Sequence, residues 1–75
     1  MPAQRIRVAA IVSSPLEEVR EAVAGLPAAV TSYVVETGAG VLVTLERERR
    51  WPLPSRRRVI LGLQRQLGAI RRAAA

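Results

Sequence analysis

A chain of 75 residues, 49% hydrophobic and 24% charged, is globular in composition, has room for one domain (1–75), and buries too little surface to be comfortable alone. It contains no cysteine and no histidine, which excludes a disulfide framework and removes the usual ligands of a structural zinc, so oligomerisation is expected to supplement the core. The net charge of +6 is unevenly placed: residues 1–46 carry three Arg against five Glu, whereas residues 47–75 carry nine Arg against Glu48 alone. Such a field points to an anionic partner or a self-association surface for the C-terminal part, without choosing the anion.

Residues 5–12 alternate, with Ile6, Val8, Ala10 and Val12 on one face and Arg5, Arg7, Ala9 and Ile11 on the other, which predicts a first strand. Ser14-Pro15-Leu16-Glu17 then reads as a capping box with Pro15 at the first helical position. The helix it opens has a stripe of Leu16, Val19, Val23 and Leu26, exposes Glu17, Glu18, Arg20 and Glu21, and stops at Gly25 and Pro27.

Two β-rich runs follow, 29–36 and 41–48, joined by Thr37-Gly38-Ala39-Gly40, whose glycines permit positive φ in a tight hairpin. The earlier run is mixed in pattern. The later one sets Val41, Val43 and Leu45 against Leu42, Thr44, Glu46 and Glu48. After Trp51-Pro52-Leu53-Pro54, Ser55 caps a last helix with an apolar face of Val59, Ile60, Leu63, Leu67 and Ile70.

The order is therefore β-α-β-β-α, an α+β two-layer sandwich in which the third strand inserts between the first two and both helices cover one face of a three-stranded sheet. This order resembles the ferredoxin-like, split β-α-β plan lacking its last strand. Short metal-binding domains of that plan carry two cysteines after strand one; Ser13-Ser14-Pro15 stands there in this chain, so their metal function does not carry over. Without a fourth strand, strand one is an uncovered edge, which Arg5 and Arg7 either guard or present to an antiparallel partner strand in a dimer.

No enzyme and no cofactor are expected. Glu17, Glu18 and Glu21 suit a helix N-terminus, and Glu46 and Glu48 beside Arg47, Arg49 and Arg50 read as a solvated charge ladder. Gly38-Ala39-Gly40 joins two strands rather than a strand and a helix, so it is a turn and not a phosphate loop. Arg58, Arg65 and Arg72, seven residues apart and each ~10 Å from the next, form a stripe on the last helix flanked by Arg57 and Arg71.

With Arg47, Arg49, Arg50, Arg56 and Arg57, that stripe makes a candidate RNA- or DNA-binding surface. Trp51, set among these arginines, either stacks an unpaired base or closes over the end of the core. Tyr33 reads as a packed sheet residue. A membrane-surface role for the last helix conflicts with the use of its apolar arc to cover the sheet.

The stretch Val8 to Val12 is too short for a signal-peptide core, and no apolar run reaches bilayer length, so a soluble cytoplasmic protein is expected. Lys, Asp, Asn, Cys, His and Phe are all missing; a thermophilic source explains part of this through the absent labile residue types, and a GC-rich genome accounts for the enrichment in Ala, Arg, Val, Gly and Pro. The reading that follows is a small non-enzymatic, self-associating accessory or regulatory domain with a basic C-terminal face for nucleic acid. The alternative is a scaffold module whose arginines pair with acidic groups of a partner or a neighbouring subunit.

Overall fold

The computed structural model describes residues 3–49 and 55–74. Its elements are β1 (Gln4–Val12), α1 (Leu16–Ala24), β2 (Val30–Thr37), β3 (Gly40–Arg49) and α2 (Arg56–Ala73). The strands form one open sheet in the order β1-β3-β2, with both pairings antiparallel. The β1-α1-β2 crossover leaves a gap one strand wide, and the β2-β3 hairpin returns β3 into it.

Period-two alternation decides which side of the sheet is covered. Ile6 and Val12 of β1 and Val41, Val43 and Leu45 of β3 are buried, with Val8, Ala10, Val30 and Val34 packed against them. Over this face lie Val19 of α1 and Val59, Leu63, Leu67 and Ile70 of α2, so both helices occupy one side as the stripes require. The other side of the sheet carries no helix among the described residues. Strand β2 is mixed in sequence because each of its faces holds apolar groups: Val30 and Val34 point inward, while Tyr33 and Val35, 46% and 54% exposed, stand on the open side. Tyr33 is therefore not the packed residue expected of it.

The start of α1 differs from the capping box. Pro15 occupies the N-cap with ψ 144° and no side chain caps the helix; the Pro15 carbonyl accepts the first helical hydrogen bond, from the Val19 amide at 3.2 Å. With the extended residue shifted onto Pro15, Ser14 falls one position outside the helix and its hydroxyl is out of phase with the free amides. Glu17 and Glu18 remain in the first turn, where they oppose the positive end of the helix dipole.

The β2-β3 turn uses its glycines unequally. Thr37 pairs with Gly40, and the Thr37 hydroxyl donates to the Gly40 carbonyl at 2.7 Å while accepting from the Ala39 amide. Only Gly40 has positive φ, +133°, and a Cβ there would meet the Ile11 side chain and the Val12 carbonyl at 3.0 Å. Gly38 needs no such freedom and faces open space.

Candidate nucleic-acid interface

Helix α2 begins as its sequence dictates. Ser55 is extended at the N-cap, and its hydroxyl accepts from the Arg58 amide at 3.3 Å, satisfying one of the free donors of the first turn. From that cap, 3.6-residue periodicity turns Val59, Leu63, Leu67 and Ile70 into the core and leaves the arginines on the remaining arc, together with exposed Leu61, Gln64 and Ala69.

Arg56, Arg57, Arg58, Arg65, Arg71 and Arg72 are all exposed, and α2 contains no carboxylate. Arg58, Arg65 and Arg72 drift by only ~20° per seven residues around the axis, so they share one side over ~21 Å. None of the six is ion-paired among the described residues. Arg71 and Arg72 lie in the last turn, where positive charge suits the dipole; Arg56, Arg57 and Arg58 lie in the first turn, where it does not. The Arg72 guanidinium leans back over Gly68.

At the end of β3, Arg47 and Arg49 are partly buried at the rim of the helix-covered face, opposite Ile6 and Gln4. Arg49 is anchored there by donating to the Gln4 side-chain carbonyl oxygen at 2.6 Å. From this rim residues 50–54 lead to α2, so the strand-end and first-turn arginines adjoin one short connection. Arg50 and Trp51 lie outside the described residues.

The acidic residues divide into two environments. Glu48 stays exposed on the open sheet face, whereas Glu46 is 6% exposed and is no part of a solvated ladder. The register explains the difference. Arg7 sits directly across from Glu46 and donates through Nε to Oε2 at 2.5 Å, while Arg5, one pair along, brings Nη1 to 3.6 Å from Oε1.

The hydrogen bond from Arg7 to Glu46, and then the carboxylate's charge, raise the arginine's pKa, so with Glu46 ionised the stabilisation is fully present below the unfolded arginine's pKa and is lost as pH rises through the raised value. Both guanidinium groups thus reach across the open face to the central strand. They do not project outward to shield the β1 edge.

Among the described residues, no group of three or more acidic, His or Cys side chains is placed to hold a metal ion, and no helix is long and apolar enough to cross a membrane. The chain matches no protein-family model, curated protein or solved structure.

Proposed function

We propose that this chain is a small, non-enzymatic, self-associating accessory domain that lays the arginine face of α2 against nucleic acid. The observation that carries the reading is six exposed guanidinium groups on one 18-residue helix that has no carboxylate and no ion pair among the described residues. Like charges held this closely repel, three of them at the unfavourable end of the dipole, and a polyanion relieves both costs while releasing its condensed counterions. Arg47 and Arg49 extend the basic surface past the start of the helix. A cytoplasmic setting is part of this proposal.

Self-association rests on the small core and on β1, a nine-residue edge with no proline and with its arginines drawn inward to Glu46. The scaffold reading has its own support: Glu17, Glu18 and Glu21 are exposed on α1 and offer a neighbouring α2 an acidic surface.

Fluorescence anisotropy with labelled single-stranded RNA, single-stranded DNA and duplex DNA separates the two. Salt-sensitive, sequence-tolerant binding, with log affinity falling linearly against log salt, is expected. No binding to any of the three at low salt replaces this reading with the scaffold.

A further inference from the structure

The open sheet face joins an apolar end to a charge-balanced end. Its cross-strand rows are Ile11-Leu42-Val35, Ala9-Thr44-Tyr33, Arg7-Glu46-Thr31 and Arg5-Glu48, the last continuing toward Ala29. Ile11, Tyr33 and Val35 are 39%, 46% and 54% exposed, a cluster of large apolar groups on the side away from the helices. On a chain of net charge +6, the two arginines and two glutamates of this face sum to zero. It is thus a face on which a second copy meets no net repulsion from the residues it contacts, while both α2 helices point away.

We infer that this face is a two-fold interface with a second copy of the chain, packed sheet on sheet with the axis along β3. The inference rests on the self-association reading and specifies a surface other than the β1 edge. A two-fold axis across the strands would set the charged end of one copy on the apolar end of the other, which desolvates charge without pairing it. An axis along β3 keeps each row level with its own counterpart, within the ~30° twist of aligned sheets, and lays β1 over β2 and β3 over β3 of the second copy, so Glu46 and Glu48 approach their own counterparts and take Arg7 of the same copy and Arg5 of the other as counter-charges.

Ile11 then meets Val35 of the second copy, and the small Ala9 lies under its Tyr33. Arg5 comes above a depression of about 190 Å³ lined in the second copy by Ala29, Thr31, Tyr33, Glu46, Glu48 and that copy's own Arg5, two carboxylates against one guanidinium. Charge matches there as well as shape: the Glu48 carboxylate has no ion pair among the described residues, and Arg5 is held to Glu46 only loosely, at 3.6 Å. Three strands ~4.8 Å apart and about eight residues long offer roughly 400 Å² per copy, below the ~800 Å² of a standard interface. An interface of that size belongs to the weak, transient class.

The test is sedimentation equilibrium of the full chain at moderate salt, for the wild type, Val35→Lys, Arg5→Glu, Glu48→Arg, and a 1:1 mixture of the last two. All three altered side chains are exposed, and circular dichroism checks that each variant folds. The wild type is expected to dimerise, and each single variant to associate about ten-fold more weakly or worse.

The mixture is expected to recover association, because the carboxylate introduced at position 5 of one chain then faces the guanidinium introduced at position 48 of the other, and the reverse contact is native. Within each chain the like-charge pair remains, so only an intermolecular contact gives rescue. A wild type that associates while Val35→Lys and the charge reversals associate equally well overturns this interface and leaves self-association standing. A wild type that stays monomeric up to ~200 μM overturns both.

Discussion

Replacing Arg58, Arg65 and Arg72 together with glutamine is expected to leave the fold intact and weaken nucleic-acid binding by up to about 500-fold near 0.1 M salt. The magnitude comes from counterion release: each phosphate contact on duplex DNA contributes ~0.9 to the slope of log affinity against log salt, so three lost contacts flatten it by up to ~2.7. Single-stranded targets, with ~0.7 per contact, are expected to lose less. The loss is expected to be similar for all sequences, because phosphate contacts carry no base information. All three side chains are exposed on the side of α2 away from Leu63 and Leu67, so thermal melting is expected to change little. An unchanged slope in the triple variant, with binding retained, removes the stripe from the interface.

Leu63→Ala is expected to have the largest effect on stability. Leu63 is 1% exposed at the centre of the α2 core stripe, and truncating such a side chain costs ~2.7–5 kcal/mol through lost transfer energy and the cavity left behind. A domain of this length has a total stability of only ~4–11 kcal/mol, so the melting temperature is expected to fall by roughly 10–40 °C. Leu61, two residues away and 54% exposed, is the control: Leu61→Ala is expected to stay within ~0.5 kcal/mol of the wild type. Equal losses at the two positions contradict the helix orientation, and with it the placement of the arginine face.

The parts of the fold governed by periodicity were legible in the chain. Alternation in β1 and β3 and the 3.6-residue spacing of Val59, Leu63, Leu67 and Ile70 identify the buried sides, because burial selects every second strand residue and every third or fourth helix residue. The crossover rule supplies the strand order once the hairpin is recognised. Ser55 caps α2 as its position suggests.

What escaped depends on register or on single dihedral angles. Glu46 is flanked in sequence by Leu45 and Arg47, and nothing local shows that pairing with β1 sets Arg7 directly across from it and Arg5 one pair along. Ser14 and Pro15 compete for the N-cap, and one extended ψ at Pro15 decides the outcome. Tyr33 reads as a packed sheet residue because strand alternation marks two faces without saying which one the helices cover. The helix stripe of the candidate site was legible throughout, since Arg58, Arg65 and Arg72 need only helical geometry to share a side.

The central claim is that α2 presents its arginine face to nucleic acid, and NMR titration of the isotopically labelled chain with a short oligonucleotide tests it most directly. The guanidinium Nε–H resonances of Arg58, Arg65 and Arg72 are expected to shift together, with those of Arg47 and Arg49 following, while Arg7, held by Glu46 on the opposite side of the sheet, stays in place. Shifts concentrated at Arg5, Arg7 and Tyr33 on the open sheet face, with the α2 arginines unmoved, would contradict the account.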